Sequence, residues 1–367
     1  MTETISYKSD CRYFRGDVPC APHKREGVHC ADCPHYAATD RNILIIKLGA
    51  IGDVIRTTPL LAKLKSEFPT ARIWWLTHTP EILPSGVDVK MPFDLRSIVT
   101  LGAMRFDLAL NLDKDREACA LLDRIEASTK KGFTLRNGVC APIDADATPK
   151  FLTGIFDDVN KANTKSYLEE LFEICGYTFS GEEYLLDVPS RFSFPLDHSK
   201  PIVGLNTGCG GRWTSRLWAD ERWIGLAKNI LAQGFTPLFL GGEQEHEKNL
   251  RLASASGGQY LGHFPLPQFL ALMNECDLIV SAVTMAMHFA IALKKKLLLF
   301  NNIFNKHEFE LYGRGEIIEP TKECTCFFLP TCTNEEYKCM EHITVDRVAD
   351  RVAYWLKNNP SVSSVQK

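Results

Sequence analysis

The sequence predicts an α/β protein made of two facing Rossmann-like domains, each with a parallel sheet. Short β-rich runs alternate with amphipathic stretches from Asn42 onward, which is typical of parallel strands joined by helices. The chain has 367 residues, a length that corresponds to about two domains. A polar, proline-bearing stretch over 187–200 separates two series, and each series opens with a strand and a glycine-containing loop.

The elements and domain limits follow from this alternation. Runs rich in β-formers are predicted as strands at 42–48, 72–77, 107–112, 201–206, 236–242, 277–282 and 296–302. Amphipathic segments are predicted as helices at 114–128, 163–176, 219–233, 243–257 and 284–293. The chain therefore divides into a Cys-rich segment over 1–36, Rossmann-like domains over 37–190 and 198–345, and a helix and tail over 346–367. Ligands of open parallel sheets bind at the carboxyl ends of the strands, so we expect a site between the domains.

Composition and charge exclude several classes of protein. Apolar residues make up 45% and charged residues 24%, as in an ordinary globular chain. The net charge of −3 gives no basic field that would hold nucleic acid. The uncharged run over 278–293 is shorter than the ~20 residues of a membrane span, so at most peripheral membrane contact is expected. The first residues lack the apolar segment of a secretory signal, which predicts a cytoplasmic protein with reduced cysteines.

The first predicted strand ends in a glycine-containing loop. Gly49 and Gly52 allow a sharp turn and let a ligand approach the amides at the start of the following helix. Asp53 lies in the same loop, where it is equally typical of a helix N-cap.

The second series opens with a loop that has three glycines, hydroxyl groups and two arginines. Free amides and guanidinium groups both donate to phosphate oxygens, so the loop suits a phosphate or diphosphate, although a solvated surface loop has the same composition. The candidate contacts are Thr207, Gly208, Gly211, Arg212 and Arg216.

Two later loops add candidates for a bound nucleotide. Glu245 follows a strand at a point where a carboxylate would accept hydrogen bonds from a ribose, or would simply stabilise the first turn of a helix. Thr284 and His288 begin the helix after the strand at 277–282, where a lone histidine is often only part of the core.

Taken together, these loops resemble glycosyltransferase family 9, the group that contains the lipopolysaccharide heptosyltransferases. The resemblance spans about 42–350 and is clearest in KLGAIGDVIRTTPLLAKLK, GCGGRWTSRLWADERW and TMAMHFAIALKK. It implies a GT-B fold and inverting transfer of a sugar from a nucleotide donor, commonly ADP-heptose, to a glycan, glycolipid or protein acceptor. The domain over 37–190 would then take the acceptor, and the domain over 198–345 the nucleotide sugar.

The resemblance also assigns roles to individual residues. Asp53 follows the glycine of the family's GD motif and would be the general base. Arg216 stands where the family usually has a phosphate-binding lysine, so no catalytic metal is expected. Glu245 matches the ribose-binding glutamate, and Thr284 and His288 match residues on the donor side.

The chain departs from the family in its donor motif. Val283 and Met285 stand where an aspartate and a glycine are usual, which puts the identity of the donor sugar in doubt. Two alternatives therefore stay open: a non-catalytic sugar-nucleotide-binding or scaffold protein, and a nucleotide-sugar epimerase.

Eight of the thirteen cysteines fall into two clusters. Four thiolates around one ion make a structural site, and they suit iron as well as zinc. The sequence therefore predicts structural zinc or iron at one or both clusters, with reduced thiols and mixed sites as alternatives. The candidate ligands are Cys11, Cys20, Cys30 and Cys33 in one cluster, and Cys324, Cys326, Cys332 and Cys339 in the other.

Overall fold

The computed structural model of the protein describes residues 6–358, which form two compact units. The first unit runs to Gly154 and takes in Glu169–Glu182; the second comprises Ile155–Leu168 and the chain from Glu183 onward. Each unit contains one sheet with helices packed against it. The predicted α/β class with two parallel sheets is confirmed.

The sheet of the first unit has six strands in the order β3-β2-β1-β4-β5-β6. All neighbours are parallel except β5 and β6, which form an antiparallel pair. Residues 43–46 of the central strand are buried, as expected where a parallel sheet is covered on both faces. The strands are β1 (Asn42–Ile46), β2 (Arg72–Thr77), β3 (Val89–Pro92), β4 (Arg105–Asn111), β5 (Glu126–Arg136) and β6 (Val139–Pro142).

The helices up to residue 174 are short. Pro59 separates α2 from α3, because a proline cannot continue the hydrogen bonding of a preceding helix. Thr58, just before this break, donates its hydroxyl to the carbonyl of Ile55 at 2.7 Å. The helices are α1 (Ala21–Glu26), α2 (Ile51–Ile55), α3 (Leu60–Glu67), α4 (Leu95–Gly102), α5 (Arg116–Arg124), α6 (Thr148–Thr153), α7 (Asp157–Ala162) and α8 (Tyr167–Ile174).

The sheet of the second unit has five parallel strands in the order β11-β10-β9-β7-β8. Every residue of β7, β8 and β9 is buried. The strands are β7 (Ile202–Asn206), β8 (Thr236–Leu240), β9 (Leu278–Ala282), β10 (Lys296–Phe300) and β11 (Gly315–Ile318). The helices are α9 (Asp220–Ala232), α10 (His246–Ser256), α11 (Leu266–Asn274), α12 (Met285–Ala292) and α13 (Val345–Asn358).

The core of the second unit is built around aromatic rings. Trp218 packs edge-on against Trp223 and Phe300, with ring centroids 5.0 and 5.1 Å apart. Val352 and Trp355 of α13 belong to the same buried cluster. The predicted C-terminal helix is therefore part of this core, whereas the predicted tail from residue 359 lies outside the described residues.

Most predicted elements are present, and the predicted secondary structure needs two corrections. The predicted helix over 114–128 ends at Arg124, and residues 126–128 belong to β5. Strands β3, β5, β6 and β11 were not predicted, because they are short or rich in polar residues. Within residues 6–358, no helix is long and apolar enough to span a membrane.

Candidate functional site

The carboxyl ends of β7 and β9 are joined by side-chain hydrogen bonds. Asn206, the last residue of β7, donates to Ser281 Oγ at 3.1 Å and to Thr284 Oγ1 at 3.3 Å. Thr284 also caps α12, since its hydroxyl accepts from the amide of Ala286 at 3.2 Å. The predicted Thr284 thus lies beside the glycine-containing loop that follows β7.

Glu245 lies directly against this loop. A Cβ placed on Gly208 would be 2.2 Å from Glu245 Oε1, and one on Gly241 would be 2.6 Å from Glu245 Cβ. Both positions therefore require glycine for the carboxylate to approach the backbone. Glu245 Oε2 also accepts from the amide of Gly242 at 3.0 Å. The structure brings two predicted site residues, Gly208 and Glu245, into contact.

Arg216 is a buried cation of the same cluster, with 7% of its surface exposed. Its guanidinium donates to the carbonyl of Cys209 at 3.2 Å and to the carbonyl of Val283. It lies over the rings of Trp213 and Phe304, with Cζ 5.5 and 5.3 Å from the centroids. Among residues 6–358, no carboxylate pairs with Arg216, and its Nε has no hydrogen-bond partner.

Burial lowers the pKa of Arg216 to about 10, so the side chain stays charged at neutral pH. A buried charge is costly unless it is paired. The geometry therefore leaves a cationic donor that an anionic ligand would neutralise.

The remaining predicted residues of the second unit have different surroundings. Arg212 is exposed and lies 5.3 Å from the centroid of the Trp213 ring, and Gly211 is exposed in the same loop. Thr207 is already engaged, since its hydroxyl donates to Asn249 Oδ1 at 2.6 Å and its amide to Leu240. His288 is buried in α12 and stacks on Tyr184, with centroids 6.3 Å apart.

Asp53 lies in the first turn of α2 in the first unit. Its side chain is 35% exposed and forms an ion pair with Arg56, three residues later, at 2.8 Å. The backbone carbonyl of Asp53 accepts from Thr57 Oγ1 at 2.8 Å, which holds the short helix in place. The side chain does not cap α2, because residue 50 occupies the N-cap position. Gly52 is buried within the same helix.

The loop before α2 is held by a residue that the sequence did not single out. Asp113 accepts from the amides of Leu48 and Gly49, the latter at 3.0 Å, and from Lys47 Nζ at 2.5 Å. Lys47 and Asp113 are both buried. The amide of Gly49, predicted to face a ligand, thus donates to Asp113. In the sequence, the role of Asp113 is indicated only by its position two residues after the end of β4.

The four N-terminal cysteines line one small cavity in the first unit. Its other walls are mostly apolar and include Phe14, Pro22 and Val28. Cys20 precedes α1, and Cys30 begins a short 3-10 helix, so local turns direct these thiols inward. Four predicted metal ligands therefore share one cavity: Cys11, Cys20, Cys30 and Cys33.

The C-terminal cysteines form two pairs. Cys326 and Cys332 have their sulfurs 3.7 Å apart. Hydrogen bonds with Cys324 and Asn302 lower the pKa of the Cys339 thiol. Nevertheless, in the part of the chain that the structure describes, no three or more His, Cys, Asp or Glu side chains are arranged to hold a metal ion. Metal binding at either cluster stays a prediction.

A family model described as glycosyltransferase family 9 (heptosyltransferase) matches residues 95–312. The matched range contains Arg216, Glu245, Thr284 and His288, and leaves out Asp53. No curated protein matches the chain significantly.

Several solved structures share the fold. The glycosyl transferase family 9 protein from Veillonella parvula is 18% identical, with a TM-score of 0.66 over 88% of this chain and 98% of that one. ADP-heptose LPS heptosyltransferase II of E. coli is 17% identical, with a TM-score of 0.62 over 86% and 98%. The iron-containing dodecameric glycosyltransferase TibC from enterotoxigenic E. coli is 12% identical, with a TM-score of 0.54 over 87% and 77%. The predicted GT-B class is confirmed.

Proposed function

Because the chain belongs to glycosyltransferase family 9, we propose that it is an inverting enzyme that moves a heptose-like sugar from a nucleoside diphosphate to an acceptor hydroxyl. The second unit binds the donor, and the first unit supplies Asp53 as the general base. The acceptor is a glycan, a glycolipid or a protein. Membership of the family shows that the chain is a glycosyltransferase. The identity of the donor, the identity of the acceptor and the roles of individual residues are what we propose.

The unpaired, buried guanidinium of Arg216 is the observation that carries the proposal. A diphosphate would supply the missing negative charge, and a planar guanidinium can donate to two of its oxygens at once. During transfer the bond between the anomeric carbon and the diphosphate breaks, and negative charge grows on the departing oxygen. A cation already held in place stabilises that charge without having to reorganise.

The contacts around Arg216 support binding of a nucleotide at this edge of the sheet. Glu245 lies over Gly208, where its carboxylate would accept hydrogen bonds from ribose hydroxyls. Thr284 is tied to the same loop through Asn206, and His288 lies one turn further along α12. Similarity to ADP-heptose LPS heptosyltransferase II makes ADP-heptose the first donor to test. The side chain of Val283 cannot hydrogen-bond a sugar hydroxyl, and the thioether of Met285 is only a weak acceptor.

Asp53 is proposed to accept the proton of the acceptor. As the hydroxyl oxygen attacks the anomeric carbon opposite the diphosphate, its proton passes to the Asp53 carboxylate. Only one base and no covalent intermediate are needed for such an inverting displacement. The partial exposure of Asp53 and the salt bridge to Arg56 support a carboxylate that is both reachable and held in a defined position.

The two cysteine clusters are proposed to hold structural zinc or iron. The donor set of four thiolates suits either metal. The support is the shared cavity of the N-terminal cysteines and the 3.7 Å separation of Cys326 and Cys332. The iron in TibC is a property of that protein and makes iron worth measuring here. A metal ion at these sites would stabilise the folded protein, and it has no part in the proposed sugar transfer.

We place the reaction in the cytoplasm. In that compartment the thirteen cysteines of the chain would stay reduced and available to bind a metal ion.

A nucleotide-sugar panel tests the proposal. Isothermal titration calorimetry would compare ADP, ADP-heptose and UDP-N-acetylglucosamine, and an ADP-release assay would follow turnover with oligosaccharide, glycolipid and peptide acceptors. We expect ADP and ADP-heptose to bind and ADP release to depend on the acceptor.

The same panel separates the alternatives. Binding without ADP release from any acceptor would favour a non-catalytic sugar-nucleotide-binding protein. A change in the donor sugar without an acceptor, seen by NMR, would identify an epimerase. No binding of any nucleotide would contradict the proposed donor site.

A further inference from the structure

The turn that carries Arg216 is attached to the Cys-rich loop over 324–339. Ser215, the residue before Arg216, donates its amide to the carbonyl of Pro330 at 3.0 Å and its hydroxyl to the carbonyl of Leu329 at 2.8 Å. Thr214 Oγ1 donates to Pro330 as well, at 3.4 Å. The short 3-10 helix over Thr214–Arg216 is therefore held from outside by this loop.

Asn302 connects the other side of the turn to the same loop. Its side-chain nitrogen lies 2.9 Å from the carbonyl oxygen of Ser215 and 3.3 Å from Cys339 Sγ. Every backbone and side-chain polar group of Ser215 thus bonds either to the Cys-rich loop or to Asn302. A three-residue helix has little stability of its own. These hydrogen bonds therefore fix the position of the Arg216 backbone, from which the guanidinium extends.

The side chain of Arg216 is linked to the loop through aromatic rings. Its guanidinium lies over Trp213 and Phe304. Phe328 of the Cys-rich loop packs edge-on against both rings, with centroids 6.3 and 5.0 Å away. The amide of Phe328 also donates to the carbonyl of Ile303 at 2.9 Å.

We propose that Ser215 and Asn302 are positioning residues, through which the Cys-rich loop holds Arg216 ready for the diphosphate of the donor. This inference rests on the proposed donor site. Neither residue needs to touch the ligand, since both act through the placement of the guanidinium. The Cys-rich loop then has a role in donor affinity in addition to any role in stability.

Calorimetry with ADP and with adenosine tests the proposal on Ser215→Ala and Asn302→Ala. Losing one hydrogen bond that positions Arg216 should raise the Kd for ADP by about fivefold to tenfold in each variant. The Kd for adenosine, which has no diphosphate, should stay at the wild-type value. Ser256→Ala and Asn229→Ala are the controls, because the side chains of Ser256 and Asn229 each donate to a carbonyl of their own helix. Both variants should bind ADP as the wild type does.

A double-mutant cycle shows whether the effect passes through Arg216. In an Arg216→Ala background, neither Ser215→Ala nor Asn302→Ala should weaken ADP binding further. An ADP Kd within twofold of the controls, or an equal loss for adenosine, would overturn the proposal. Failure of the wild-type protein to bind ADP would instead refute the donor site itself, so the two failures are distinguishable.

Discussion

The buried guanidinium of Arg216 contacts backbone carbonyls and aromatic rings, none of which carries a compensating negative charge. An anionic ligand would supply that charge. Unlike the ammonium group of a lysine, the guanidinium presents a planar set of donors. Its exposed neighbour Arg212 stacks on Trp213 but remains in contact with solvent. The two arginines of one loop should therefore contribute very differently to ligand binding.

Substitution of Arg216 tests that difference. Arg216→Ala should weaken ADP binding by ~10- to 100-fold, since it removes charge-assisted hydrogen bonds. Arg216→Lys keeps the charge but not the two-pronged geometry, and should fall between the wild type and Arg216→Ala. Arg212→Ala is the control, and we expect a change of less than about threefold because solvent screens its charge. Calorimetric Kd values check all three. Equal losses for Arg212→Ala and Arg216→Ala would contradict the argument.

Asp53 gives a prediction about rate instead of affinity. Asp53→Asn should lower the rate of ADP release in the presence of an acceptor by about 10²- to 10⁴-fold, the usual contribution of a general base. The Kd for ADP should not change. Glu67→Gln is a matched control, because Glu67 also forms a helical ion pair at a partly exposed site, with Lys63 at 3.3 Å. Full activity of Asp53→Asn would refute the role of Asp53.

Single residues of the site were predictable where their signal lies in local sequence. Arg216 and Glu245 follow strands in glycine-containing loops, so their approximate position could be read directly. Asn302 and Asp113 could not be found in this way. Asn302 lies 87 residues from its partner Ser215, and Asp113 lies 64 residues from Gly49, so their roles depend on strand order, which the sequence does not display.

At the scale of an element, the buried pair of Lys47 and Asp113 fixes the connection between β1 and α2. Asp113→Asn should lower the free energy of unfolding by about 3 kcal/mol, because the substitution breaks a buried ion pair. Urea denaturation measures this. Asp107→Asn is the control, since Asp107 accepts one amide, that of Asn42, at an exposed position; its effect should be much smaller. Equal effects of the two substitutions would contradict the importance of the pair.

Helix α4 provides a test of pH dependence. Asp94 caps α4 by accepting from the amide of Ser97 at 2.8 Å, and this hydrogen bond holds the pKa of Asp94 below its usual value. A lowered carboxyl pKa adds stability above the unfolded-state pKa, and that stability is lost as the pH falls through the folded-state pKa. Asp94→Ala should therefore unfold at lower urea concentration than the wild type at pH 7, and the two midpoints should converge below about pH 4. A difference that persists at pH 2 would contradict a carboxylate cap.

The strands that can be predicted from the sequence are those with a high content of apolar residues. Strands β1, β4 and β7 to β10 read as apolar runs because parallel strands are buried on both faces. Strand β5, with the sequence EASTKKGFTLR, carries mostly polar residues. It lies next to the edge strand β6 and is only partly buried, so a continuous apolar sequence is not required. Its first residues extend the helical pattern of α5, which explains why the predicted helix ran too far.

At the scale of the whole molecule, each unit combines its own sheet with one cysteine cluster. The N-terminal segment that carries the first cluster is fastened to the first unit by Arg12, which forms an ion pair with Asp88 at 2.5 Å and donates to the carbonyl of Ala71 at 3.0 Å. The second cluster lies beside the turn that holds Arg216. Loss of metal should therefore have different consequences at the two sites.

Elemental analysis of the purified protein and its cysteine variants tests this expectation. One ion for each four-thiolate group gives about two zinc or iron ions per chain, and Cys30→Ser/Cys33→Ser and Cys326→Ser/Cys332→Ser should each lose about one. A metal that binds only the folded state raises stability, so both variants should have a lower Tm than the wild type. Only the second variant should also bind ADP more weakly, because only its loop contacts Ser215. Wild-type protein without zinc or iron would refute the metal sites, and equal loss of ADP affinity in both variants would refute the separate role of the second cluster.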